Sequence, residues 1–116
     1  MEENTSEQWK VLTARLGEMF DMEINVESIL FLIGIRELGS NGQRDFSKQE
    51  KTDLMHIAMC KLTSQAGYYS LTHLDQDGWP HWELLKPLPT STPAQQTRFL
   101  QLLILQYFEE VFTVSS

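Results

Sequence analysis

Three histidines and a single cysteine carry most of the chemistry open to this 116-residue chain. His56 and Cys60 stand four residues apart, a spacing at which two helical side chains share a face and can hold one metal ion, and Asp53 falls on the same face. A closed structural zinc site needs four ligands, so the remainder would have to come from His73 or His81, and no Cys-x-x-Cys accompanies them. The ordinary account is a buried thiol beside a histidine that finds a hydrogen-bond partner at the margin of a core. The expectation is therefore no bound metal and no cofactor, with His56, Cys60 and His81 as the residues that would hold an ion.

The stretch from Gly67 to Leu85, GYYSLTHLDQDGWPHWELL, offers two further chemistries. Asp75-x-Asp77-Gly78 has the alternating oxygen ligands and glycine of a calcium loop. In that register, however, the position that needs a bidentate glutamate falls on Leu84, with Glu83 one residue short, so a plain turn explains it better. His81 and Glu83 alternate onto one side of a strand and, with Asp77 and His73, could give a histidine oriented by a carboxylate. A nucleophile is missing: Cys60 lies in an apolar helical neighbourhood that raises its pKa, no Gly-x-Ser-x-Gly elbow occurs, and GSNG at residues 39–42 lacks the spacing and the lysine of a phosphate loop. No catalytic residue is assigned, and the expectation leans away from an enzyme.

Sixteen acidic against nine basic residues give a net charge of -7, with the basic ones scattered. Affinity for nucleic acid and for anionic membranes comes largely from clustered positive charge, so both partners are excluded. One cysteine forbids an intrachain disulfide and gives an oxidising compartment no support. The leading MEENTSEQ lacks the positive charge and apolar run of a signal peptide, and the longest apolar run, Ile29 to Ile35, is far below the roughly 20 residues of a membrane span. A soluble, cytoplasmic protein is expected.

The elements that must position these residues follow from periodicity and capping. Residues 1–6 are expected to fray; Trp9, Leu12, Leu16 and Met19 then recur at helical spacing from about Glu7 to Phe20. Asn25, Glu27, Arg36 and Gly39 frame a second helix over VESILFLIGIREL, although its β-branched residues leave a buried strand as the alternative. SNGQRD, residues 40–45, reads as a loop. Ser47 and Glu50 make a capping box that opens a third helix running to about Ser64, with Leu54, Met55, Ala58, Met59 and Leu62 on its core face.

Asp75-Gln76-Asp77-Gly78 is a strong turn, so residues 68–85 read as a β-hairpin. With those four as the loop, Leu74 faces Trp79, Leu71 faces Trp82 and Tyr69 faces Leu84. Tyr69, Leu71, Trp82 and Leu84 then share a side expected to be buried on the helices, and a two-residue loop is the rival register. Residues 86–92 form an extended linker, after which Thr92 caps and Pro93 opens a last helix to about Phe112.

The pieces IGIRELG, EKTDLMHIA and DGWPHWELL, in that order and spacing, resemble an uncharacterised family of small bacterial proteins. The resemblance spans roughly residues 30–108, with DGWPHW its most specific piece. It implies a bacterial intracellular protein and transfers no catalytic or binding residue.

Taken together, the expected fold is mainly α with a minor β component: a single domain over residues 1–116, of about four helices with one inserted hairpin. The expected function is non-catalytic, a protein–protein interaction or a structural role in a bacterial assembly; the alternative is a small-ligand or metal-binding protein using His56, Cys60 and the hairpin histidines. The contact residues expected are Trp79, which alternation turns away from Trp82, and Leu102, Leu105, Phe108 and Phe112, a second apolar face on the last helix. That face predicts packing against another chain, by self-association or in a heteromeric complex, unless the first helix or the hairpin folds over it.

Overall fold

A computed structural model describes residues 2–39, 46–89 and 92–115. Among them the chain is mainly helical, with one antiparallel hairpin: α1 (Glu2–Phe20), α2 (Val26–Leu38), α3 (Lys48–Ser64), β1 (Tyr69–Leu74), β2 (Pro80–Leu84) and α4 (Pro93–Ser115). The contacts divide into two compact units, one formed by the N-terminal residues to Asn25 with the chain from Pro89 onward, the other by Val26–Leu88.

In the first unit α1 packs on α4. α1 begins at Glu2, so the residues expected to fray, from 2 to 6, lie in its opening turns. Leu12 and Leu16 are buried and Trp9 is half-buried, as their spacing requires, but Met19 is 56% exposed. The helix is ending there, and Asp21 turns the chain out of it at φ 49 while its N–H still reaches the Gly17 carbonyl. Aspartate tolerates that left-handed conformation better than most residues with a side chain. α4 opens on a reciprocal cap in which Gln95 N–H donates to Thr92 Oγ1 at 3.2 Å and Thr92 N–H to Gln95 Oε1 at 3.0 Å. Of the linker, residues 86–89 and 92 are described.

In the second unit α2 lies against α3, and β1 against α3. α2 is a helix, not the alternative strand, and ends where expected, with Gly39 at φ 85 donating to the Ile35 and Arg36 carbonyls. Ile29, Leu30, Ile33 and Gly34 are its buried residues. Gly34 sets how closely the helices approach: a Cβ there would run into the Leu54 carbonyl oxygen and stand 2.9 Å from Leu54 Cβ. α3 starts on the capping box, Glu50 N–H to Ser47 Oγ at 3.1 Å and Ser47 N–H to Glu50 Oε1 at 3.0 Å. Its buried side is Leu54, Ile57, Ala58, Cys60, Leu62 and Thr63, rotated from the expected face so that Met55 and Met59 are only half-buried. The expected loop at 40–45 lies outside the described residues.

The hairpin pairs Tyr69 with Leu84 and Leu71 with Trp82, as expected, and then departs from the expected register. Thr72 is an extra residue on β1, so His73 faces His81 and Leu74 faces Pro80 rather than Trp79. The cause lies in the loop: Asp75 Oδ1 accepts from both Asp77 N–H and Trp79 N–H, and Asp75 N–H donates to the Trp79 carbonyl at 2.9 Å, which draws Trp79 into the turn. Gly78 takes the positive φ that this requires, 86°. Tyr69 and Trp82 are half-buried, whereas Leu71 and Leu84, expected to be buried with them, are 50% and 53% exposed.

Candidate functional site

Among the described residues, a place in each unit gathers side chains with functional potential. The first is an apolar cleft of about 360 Å³ along α1 and α4, walled by Val11, Leu12, Leu105, Phe108 and Phe112. A helix whose apolar residues occupy more than half its circumference cannot cover them all against one neighbour, and α4 is such a helix. Phe108, expected on the interaction face, is 7% exposed and counts among the buried hydrophobic residues. Leu105 and Phe112 are half-buried in the cleft walls, and Leu102 is 47% exposed and not part of them. The expected interaction face is therefore split into a buried ring, a cleft and one exposed leucine.

Charge surrounds the apolar walls. Arg15 holds its guanidinium 3.6 Å above the centre of the Phe112 ring, a cation–π contact that leaves a flat polar lid on an apolar floor. Glu7 and Glu109 add acidic groups to the lining. Val11, 65% exposed at the edge, was not anticipated as a site residue, because it lies off the Trp9–Leu12–Leu16 stripe. An isolated exposed valine carries no signal in a sequence; it gains one when a second helix brings Leu105 beside it.

The second place is the hairpin tip. His81 Nε2 lies 3.0 Å from Asp75 Oδ2, and the His81 and His73 rings are parallel with centroids 4.6 Å apart. The carboxylate that orients His81 is Asp75, not the expected Glu83 or Asp77, because the five-residue loop folds around Asp75. The bond from His81, then the Trp79 and Asp77 N–H groups, hold the Asp75 carboxyl below its ordinary value of 3.8. A histidine paired with a carboxylate can relay a proton or present a fixed tautomer, and both groups are substantially exposed. Trp79, expected to stand outward, is half-buried.

The helical pair is inert by comparison. Cys60 Sγ lies 3.6 Å from His56 Nε2, but the thiol is buried and burial pushes it up to about 11. Asp53 takes a hydrogen bond from Gln49 at 3.0 Å. Among the described residues no three histidine, cysteine, aspartate or glutamate side chains come together to hold a metal, so His56, Cys60 and His81 do not form one centre. Nor is any helix among them long and apolar enough to cross a membrane. Comparison with protein-family models, with curated proteins and with solved structures found no match.

Proposed function

We propose that this protein works by binding another protein, as a cytoplasmic component of a bacterial assembly, and that the α1/α4 cleft receives an amphipathic helical segment of its partner. The cleft is the observation that carries this reading: it is a groove between two helices, the form in which an apolar side chain projecting from a third helix is recognised. Its acidic lining residues Glu7 and Glu109, and the chain's net charge of -7, favour a segment whose apolar anchor is flanked by lysine or arginine. The same charge disfavours a second copy of this chain as occupant. Placement in the cytoplasm and in bacteria rests on the lone cysteine and the resemblance of DGWPHW and its companion pieces.

Val11→Glu tests the proposal, because it places a charge at the mouth of the cleft on a side chain that is already exposed. Affinity purification from the native cell with wild type and variant in parallel, read by mass spectrometry, should recover a partner with wild type only, while circular dichroism shows the variant folded. A peptide of the recovered partner should then bind more weakly as salt is raised. Equal recovery by Val11→Glu, or a partner that binds through an acidic segment, would overturn the proposal. Light scattering covers the remaining case: a wild-type dimer that Val11→Glu dissociates would make a second copy the occupant and would overturn the heteromeric reading.

A further inference from the structure

Each hairpin histidine has one ring nitrogen committed by a neighbour. His81 Nε2 faces Asp75 Oδ2 at 3.0 Å, and a carboxylate only accepts, so Nε2 carries the proton. Thr72 Oγ1 donates its one hydrogen to the His81 carbonyl at 3.0 Å; toward His73 Nδ1, also at 3.0 Å, it must therefore accept, and Nδ1 carries the proton. In the neutral rings the lone pairs consequently sit on His81 Nδ1 and His73 Nε2. An imidazole whose second nitrogen donates to a carboxylate or another acceptor is the usual state of a metal-ligating histidine, since the outer bond fixes the tautomer and raises the basicity of the free nitrogen. Here both imidazoles are so held, on facing positions of adjacent strands.

We infer that His73 and His81 form a two-imidazole chelate for a divalent transition-metal ion of the class that prefers nitrogen, Cu²⁺, Ni²⁺ or Zn²⁺, with water completing the coordination shell. Both rings are exposed, so an arriving ion can turn them out of their parallel stack until the lone pairs converge; the turn lengthens the contacts to Asp75 and Thr72, which fix the tautomers in the free protein. Asp75 acts from outside the shell: its position is set by the Asp77 and Trp79 N–H groups, and its negative charge faces the ring that receives the ion. Two protein ligands make an open site; among the described residues no three histidine, cysteine, aspartate or glutamate side chains are placed to hold an ion together. The His56–Cys60 pair is the weaker candidate, because a thiol pushed up to about 11 must lose its proton before it can ligate.

Calorimetric titration of the untagged protein with Zn²⁺ and with Cu²⁺ at pH 7.5 tests this, with the histidine ring resonances followed by NMR. One ion per chain is expected, with Cu²⁺ tighter than Zn²⁺ and with Ca²⁺ and Mg²⁺ not bound. His73→Ala and His81→Ala should each abolish the chelate, and Asp75→Asn, which keeps an oxygen acceptor for the loop, should weaken it about 10–100-fold. His56→Ala should change nothing. Far-UV circular dichroism of each variant secures that the fold is intact. Absence of binding to wild type at millimolar metal, undiminished binding by His73→Ala, or loss of binding in His56→Ala would each overturn the inference.

Discussion

Asp75 holds the hairpin tip with both of its oxygens, one taking two backbone N–H groups and the other His81. Its folded pKa lies below the unfolded one, so its contribution to stability is complete above about pH 4 and is lost as the pH falls through the depressed folded value. The amide resonances of Asp77 and Trp79 should therefore hold steady through the ordinary aspartate range on acidification and move only below it; a midpoint at the ordinary value would show that these bonds do not form in solution. Cys60 makes the opposite case. At pH 7 a thiol near 11 is ionised in roughly one molecule in ten thousand, and it is buried as well, so iodoacetamide should label it only after denaturation. Labelling of the native protein within minutes would contradict the burial. Both environments were partly legible: the apolar helix foretold the raised thiol, and the turn signal marked an aspartate. Which aspartate meets His81 was not, because that depends on the extra residue at Thr72, and a one-residue shift in a strand changes every partner beyond it.

The caps at α3 and α4 were legible because they are local. A Ser-x-x-Glu or Thr-x-x-Gln run satisfies its own orphan donors without help from the rest of the chain. Ser47→Ala should accordingly cost on the order of 1 kcal/mol by chemical denaturation, and a change near zero would deny the cap its role. Gly34 illustrates the reverse. In the sequence it is one glycine inside an apolar helix, where alanine ought to improve helix propensity by about 1 kcal/mol. Against Leu54 the added methyl has no room, since the nearest atoms belong to backbone that cannot swing aside. Gly34→Ala is expected to destabilise the protein by about 1–3 kcal/mol, the cost of forcing two packed helices apart. A stabilised variant would mean that α2 and α3 do not approach this closely.

At the scale of the whole molecule, charge and exposed apolar surface act against each other. The net charge of -7 keeps copies apart at neutral pH, while leucines 71, 74, 84, 85 and 88 and Val11, Met19 and Leu102 stand exposed. Near the isoelectric point of about 4.8 the repulsion vanishes and the apolar groups remain. Static light scattering across pH should then show a maximum near that value and clear again at neutral pH. Flat scattering through the isoelectric point would mean that these side chains are covered in solution.

The sequence by itself determined what depends on neighbours a few residues away: the helical segments α1, α3 and α4, the caps at Ser47 and Thr92, the exit at Gly39, and a turn at Asp75–Gly78. Periodicity also predicted the α1 stripe through Leu12 and Leu16, since a 3.6-residue repeat has one apolar side whatever it packs on. Only the tertiary structure decided the rest. It divided α4's second face into a buried Phe108, a cleft wall at Leu105 and Phe112 and an exposed Leu102, because which apolar residues lose their water depends on where another helix lies. It likewise joined His81 to Asp75 and His73, because cross-strand neighbours follow from register, and register here follows from how the loop folds around a single carboxylate.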